Sequence, residues 1–235
     1  GIYLVAGSNP IYLSYLITKD TPRYGDKGVV DIPRTREISR GHTSNNSELH
    51  FAAHLGTHID APFHFFEQGK TIDDYAPEFW FCNHPHVINY AASSEEIIGT
   101  DTLLNQLSAI PDDCDCLLIN TNFSRFRNDD KQTYIFHNPG ISPEVGTWLR
   151  KNTSIKMIGF DFISLSSYAN RDLGREAHLA FLSELRVNQE KIDPILIVED
   201  KDLSKLNACP SKVIISPLRF EMADGTPVTV FAFYG

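Results

Sequence analysis

Apolar positions in this chain come in short runs parted by polar turns, and the periodicity changes from run to run. Residues 11–17 are apolar and aromatic and suit a strand, and Thr21-Pro-Arg-Tyr-Gly-Asp26 after them is turn chemistry. A polar stretch through residues 40–47 reads as an exposed loop or hairpin connection. Residues 87–90 read as a short strand. Helical spacing appears at 100–110, with Thr100 as a possible cap and Leu103, Leu104, Leu107 and Ile110 on one face. A strand is predicted at 116–121. A second helix is predicted at 142–152, where Ser142 caps, Pro143 takes the first position and Glu144 favours the N-terminal dipole. Residues 157–161 form an apolar strand ending in a carboxylate. Two closing strands, 212–218 and 228–233, are predicted to join across Asp224-Gly225, with Pro217 at an edge or bulge. Such alternation of strand and helix predicts an α/β class with a partly parallel sheet.

At 235 residues the chain is long enough to bury a sizeable core, and we read residues 1–235 as one domain. The net charge of −9, without any basic stripe, argues against nucleic acid as a partner. No run of about 18 apolar residues is present to span a membrane. Residues 1–7, Gly-Ile-Tyr-Leu-Val-Ala-Gly, lack the positive start of a secretory leader, which places the protein in the cytoplasm by default. Cys82, Cys114, Cys116 and Cys209 show neither paired C-x-x-C spacing nor the density of a disulfide scaffold, so free thiols are expected.

Chemistry concentrates where the apolar pattern breaks. His54-Leu-Gly-Thr-His58-Ile-Asp60-Ala-Pro-Phe-His64 holds three imidazoles and a carboxylate within eleven residues. All offsets from His54 are even, so a continuous strand would put the four side chains on one face. At roughly 3.3 Å per residue its ends would stand about 33 Å apart, too far to share an ion. A helix would pair His54 with His58 but turn Asp60 away, and Gly56 and Pro62 oppose it. The chain must bend. We expect a strand ending near His54, a tight passage at Gly56-Thr57, one helical turn, and an extended exit imposed on Ala61 by Pro62. Imidazole and carboxylate donors suit a borderline divalent ion, Zn²⁺ or alternatively Mn²⁺. His54, His58 and Asp60 supply three ligands, leaving His64 as a proton carrier. Phe65, Phe66, Phe79, Trp80 and Phe81 follow. They offer an apolar slot for an aryl substrate or simply core, with Phe65, next to His64, the best candidate for substrate contact.

The run from His54 to Phe65 resembles the signature of the cyclase-family metal-dependent hydrolases, which include bacterial kynurenine formamidases and isatin hydrolases. That resemblance implies metal ligation by His54, His58 and Asp60 and an acid or base role for His64. It also implies a ligating His at the start of a helix and a ligating Glu on the next strand. Glu176-Ala-His178-Leu-Ala-Phe-Leu182 fits the first and Pro194-Ile-Leu-Ile-Val-Glu199 the second. His178 and Glu199 stand 21 residues apart, wider than the family pattern, so an insertion around 186–191 is expected. Glu190 fits the shorter count, but Glu199 closes an apolar strand and is preferred. With Asp60 bridging, His54 and His58 would hold one ion and His178 and Glu199 a second; without His178, a single ion remains. The resemblance makes Tyr24 a wall of the substrate pocket. Gly159-Phe-Asp161-Phe-Ile-Ser164 is similar to a family segment beneath the site, where Asp161 would orient a ligating imidazole or else anchor a loop. The implied fold is a single α/β domain with a mixed, partly barrel-like sheet and flanking helices, of the swivelling β/β/α type, in a homodimer or homotetramer.

Together these readings predict a metal-dependent amidohydrolase that cleaves a C–N bond in a small, arylformamidase-type substrate such as N-formylkynurenine. Activated water attacks the carbonyl and His64 moves the proton. A related hydrolase of isatin or a lactone, or a metal-binding protein without turnover, is the alternative.

Overall fold

Side-chain alternation along a few short strands decides which residues meet at the site. The computed structural model describes residues 9–235, so the leader reading of residues 1–7 lies outside it. Nine strands make the main sheet: β1 (Ile11–Tyr12), β2 (His58–Asp60), β3 (Phe81–Cys82), β4 (Pro85–Asn89), β5 (Cys116–Asn120), β6 (Met157–Phe160), β7 (Leu196–Glu199), β8 (Lys212–Pro217) and β9 (Gly225–Phe233). They run in the order β3-β8-β9-β2-β7-β6-β5-β4, and β1 pairs with β9. The stretch β4-β5-β6-β7 is parallel, whereas every pairing from β7 through β2, β9 and β8 to β3 is antiparallel. The sheet is therefore mixed and nearly closed.

Two cores follow from this. Leu117, Ile119, Ile158, Phe160 and Ile197 point to one face, where they pack with Val145, Leu149, Ala177 and Phe181. Their strand neighbours Cys116, Leu118, Met157, Leu196 and Val198 point to the other and meet Ile59, Val213, Ile215 and Val230, which fill the curled part of the sheet. The parallel strands are buried on both faces, so they carry unbroken apolar runs. The first face is covered by α4 (Pro143–Asn152) and α5 (Arg171–Leu182), which follow α1 (Leu104–Ser108), α2 (Phe126–Asp129) and α3 (Lys131–Phe136) in the chain.

Several expectations change in detail. The strand expected at 11–17 is regular only at β1. The helix expected over 100–110 shortens to α1, with Leu103 rather than Thr100 at the N-cap. A helix this short buries a single i,i+4 ridge: Leu103 and Leu107 are inside, while Leu104 is 56% exposed. The second helix starts at Pro143 as expected, yet the Ser142 hydroxyl makes no capping bond. Asp224-Gly225 is no tight two-residue turn, because Pro217 pairs with Val228 and the connection is a wide loop. Pro217 ends β8 beyond the reach of β3, where its missing N–H costs the sheet nothing. The insertion is a hairpin of Leu185–Val187 and Glu190–Ile192, closed by Asn188 and Gln189 at φ of 51° and 69°. Cys82, Cys114 and Cys116 are buried free thiols, and Cys209 is an exposed one. Among the described residues no helix is long and apolar enough to cross a membrane.

Candidate metal centre

Strand β2 is three residues long, and its central Ile59 is buried in the curled core. Alternation therefore turns His58 and Asp60 together to the opposite face. Across the antiparallel ladder, Glu199 of β7 is the partner of His58 and Ile197 the partner of Asp60, so Glu199 faces the same way. Helix α5 lies over that face with Gly174, Ala177, His178, Phe181 and Leu182 as its buried stripe, which aims His178 inward. His58, Asp60, His178 and Glu199 thus converge from two strands and a helix, each no more than 4% exposed.

The approach of the chain to β2 departs from expectation. No strand ends at His54; residues 53–57 form turns and bends, with Gly56 at φ 62° making the sharp passage. Ala61 is extended at φ −84° and ψ 159° before Pro62, and the helical turn follows it as a 3₁₀ segment, Pro62–His64. His54 and His64 reach the site from the two sides of β2 and stack on each other, ring centroids 3.9 Å apart.

In both buried imidazoles one nitrogen is already committed. His58 Nδ1–H donates to Gly56 O at 2.8 Å, and His178 Nδ1–H donates to Gly174 O at 2.8 Å with Ser166 Oγ 3.1 Å from the same nitrogen. Both Nε2 atoms are left facing the carboxylates. His58 Nε2 lies 3.0 Å from Glu199 Oε1 and 3.3 Å from Asp60 Oδ1; His178 Nε2 lies 3.4 Å from Asp60 Oδ2 and 3.6 Å from Glu199 Oε2. Tetrahedral bonds of about 2.0 to 2.2 Å give donor separations of about 3.3 to 3.6 Å, so the four side chains already stand close to the edges of such a site. Despite these approaches, His58 Nε2 and Asp60 Oδ2 are buried without a well-aligned hydrogen bond, which a cation between them would resolve. Residues present therefore fit a divalent ion of the zinc or manganese type. Leu165 N–H donates to Glu199 Oε2 at 2.5 Å and fixes that carboxylate.

The distribution of ligands differs from the pairing expected from the resemblance. His58 belongs with His178 and Glu199, while His54 shares the other side of Asp60 with His64: among the described residues, the clusters able to hold an ion are His58, Asp60 and Glu199, and His54, Asp60 and His64. Both nitrogens of His54 face carboxylates, Nδ1 at 2.9 Å from Asp60 Oδ1 and Nε2 at 2.7 Å from Asp224 Oδ2. Asp224 also lies 3.6 Å from His64 Nδ1. The sequence marks it only as a turn residue. Gly225 beside it is required by packing, since a Cβ there would collide with His54 Cε1.

Electrostatics follow the geometry. Burial opposes charge on His58 and His178, but Asp60 and Glu199 overcome it, holding His58 well above its ordinary value and raising His178 to about 10. Burial pushes Asp60 and Glu199 up, yet the imidazoles win, taking Asp60 well below the carboxylate range and Glu199 to about 2. Without metal the cluster is thus an ion-pair network whose imidazole protons a cation would displace. His64 differs: burial lowers its pKa, leaving it neutral near pH 7.

A cavity of about 230 Å³ opens over these groups, lined by His54, His58, His64, His178 and Glu199 and walled by Tyr24, Phe65 and Ile163. Phe65 stacks on His178 at 4.5 Å, and Tyr24 presents a buried hydroxyl without a partner. Asp161 lies away from the imidazoles; its Oδ1 accepts from Thr121 N–H at 2.9 Å and Thr121 Oγ1–H at 2.5 Å, anchoring the turn after β5. Glu190 is exposed on the inserted hairpin, outside the site.

Comparison with known proteins agrees with this architecture. Over 238 residues the chain is 26% identical to cyclase-like protein 2 of Arabidopsis thaliana, covering 95% of this chain and 79% of that protein. It is 26% identical over 203 residues to a kynurenine formamidase of Bacillus cereus, covering 84% of this chain and 86% of that protein. The fold superposes on isatin hydrolase A of Labrenzia aggregata with a TM-score of 0.79 at 19% identity, covering 97% of this chain and 94% of that one. The putative cyclase family model matches residues 11–167. That span takes in His54, His58, Asp60 and His64 and stops short of His178 and Glu199, which the fold itself brings in; the chain belongs to the cyclase family.

Proposed function

We propose that the protein is a metal-dependent hydrolase that opens the C–N bond of a small, uncharged aryl amide. One observation carries the reading: two imidazole Nε2 atoms and two carboxylates, with orphaned atoms on His58 and Asp60, converge beneath a cavity flanked by a neutral histidine. His58, Asp60, His178 and Glu199, with His54 as a further donor, would hold a Zn²⁺ or Mn²⁺ ion, whose Lewis acidity would make water nucleophilic near neutral pH and polarise a carbonyl. His64, uncharged and 29% exposed, is free to take a proton from water and return it to the departing nitrogen. Asp224 steadies the stacked pair of His54 and His64 from behind. The Tyr24 hydroxyl is a donor available to a substrate oxygen, and Phe65 and Ile163 supply the apolar wall.

The cavity also narrows the substrate. Its volume of about 230 Å³ suits a single ring, below the roughly 300 to 1,000 Å³ of pockets for drug-sized ligands. No Lys or Arg stands among its described lining residues to receive a carboxylate. These features favour neutral formanilides and cyclic amides over N-formylkynurenine, whose amino-acid head group would go unpaired.

Chelator-stripped protein, reloaded with Zn²⁺ or Mn²⁺, tests this on N-formylaniline, isatin, a lactone and N-formylkynurenine. Metal-dependent turnover with the highest kcat/KM on a neutral amide is expected. Tight metal uptake with no hydrolysis across the panel would instead favour a metal-binding protein without turnover.

A further inference from the structure

Strand β7 ends on Glu199, and the next residue, Asp200, turns the chain with φ of 56°. A non-glycine residue keeps that conformation only where its surroundings hold it. Here they do. Arg127 grips the Asp200 carboxylate with two parallel bonds, Nε–H to Oδ1 at 3.0 Å and Nη2–H to Oδ2 at 2.8 Å, and the Tyr134 hydroxyl donates to the same Oδ1. Asp200 N–H donates to Phe162 O at 2.9 Å. Its carbonyl accepts Thr57 Oγ1–H at 2.6 Å, and Tyr15 N–H donates to Thr57 Oγ1 at 3.0 Å. The Arg127 guanidinium rests 3.6 Å over the Tyr15 ring. Arg127, Tyr134, Asp200 and Thr57 are all buried.

Thr57 immediately precedes His58, Asp200 immediately follows Glu199, and His58 and Glu199 are cross-strand partners. One network from α2 and α3 therefore grips both ligand-bearing strands at the same level, beside the donors and without touching them. A buried ion pair adds little stability over apolar packing of the same volume, so stability alone does not account for this one.

We propose that Arg127, Tyr134 and Asp200 are positioning residues for the metal centre: through the Asp200 backbone and the Thr57 hydroxyl they hold His58 and Glu199 at the separation a divalent cation requires. This rests on the metal-dependent reading above. None of the three lines the cavity, so their effect reaches the cation rather than the substrate.

The test compares wild type, Thr57→Val, and the double variant Arg127→Met with Asp200→Asn, which leaves no single charge buried. Zn²⁺ affinity is measured by competition with a chromophoric chelator, alongside the visible absorption of the Co²⁺-loaded protein and thermal unfolding of the metal-free form. Both variants are expected to bind Zn²⁺ roughly 10- to 100-fold more weakly, with an altered Co²⁺ spectrum. If the double variant does not fold, Thr57→Val, which keeps every charge, decides alone. Wild-type affinity and spectrum in the folded variants, even with lower thermal stability, would overturn the proposal by reducing the network to a structural tie. Wild type that takes up no metal would overturn the metal-dependent reading itself, and the proposal with it.

Discussion

His64 and Asp60 sit within five residues of each other and do different work, which single substitutions separate. His64 is neutral, partly open to solvent and outside the cluster that joins His58 to Glu199. His64→Ala should therefore keep its metal while kcat falls by roughly 10² to 10⁴; metal analysis with steady-state kinetics checks both, and undiminished kcat would remove His64 from proton transfer. Asp60 faces His54, His58 and His178 at once. Asp60→Ala should lose the metal, and full occupancy in that variant would refute its place among the ligands. These residues are legible in the sequence because they are local: three imidazoles and a carboxylate in eleven residues, around a forced bend, point to one shared centre. Asp224 is not legible, since it reaches His54 only when β9 lies against β2, 170 positions away in the chain. Asp161 shows the converse. A carboxylate closing a strand suits orientation of an imidazole, but Thr121 is nearer and takes it.

At the scale of elements, alternation and spacing carry more than the boundaries do. Strands β5, β6 and β7 announce themselves as apolar runs, whereas α5 is foreseen only through the family resemblance and carries His178 in its second half rather than at the start that the resemblance implies. Glu199 is the better ligand candidate than Glu190 because an apolar strand holds a side chain still, and the structure puts Glu190 on an exposed hairpin instead. Helix α1 is shorter than its pattern suggests, because apolar spacing does not reveal that Leu104 stays exposed while Leu103 and Leu107 are buried and Ile110 packs against the core from beyond the helix end. Urea unfolding distinguishes the leucines: Leu107→Ala should cost about 2 to 5 kcal/mol, and Leu104→Ala should stay within about 0.5 kcal/mol of wild type. The start of β9 offers a sharper case. Gly225→Ala would drive a methyl group into His54 and toward Ile59 O at 2.9 Å. A displaced His54 should reduce kcat/KM by about 10²-fold, with His58 and His178 still able to bind metal; wild-type kinetics would show that β9 has room to spare.

For the whole molecule, the same ion pairs set how stability depends on pH. His58 and His178 are raised above the unfolded value of about 6.5. In metal-free protein their contribution is therefore complete below about pH 6.5 and is lost as pH climbs through the raised folded values, that of His178 being about 10. Asp60 and Glu199 are lowered, so their part is present above the unfolded carboxylate range and fails only as pH falls through the lowered folded values, that of Glu199 being about 2. Metal-free protein should lose thermal stability as pH rises from about 6.5 toward about 10, and Zn²⁺ should restore most of it, since the cation replaces protons that are then leaving. A flat profile would mean that the cluster is not charged as the geometry implies. The nearly closed mixed sheet is foreseeable only through the family resemblance, because strand order is a property of long-range pairing that no local pattern encodes. What the sheet accomplishes is to set β2 against β7 under α5, and a crystal of the Zn²⁺-loaded protein, with diffraction recorded at the zinc edge, tests that most directly. An anomalous peak about 2.0 to 2.2 Å from His58 Nε2 and His178 Nε2, with Asp60 and Glu199 oxygens completing it, is the result expected; zinc bound only elsewhere, with these four side chains still paired to one another, would contradict the account.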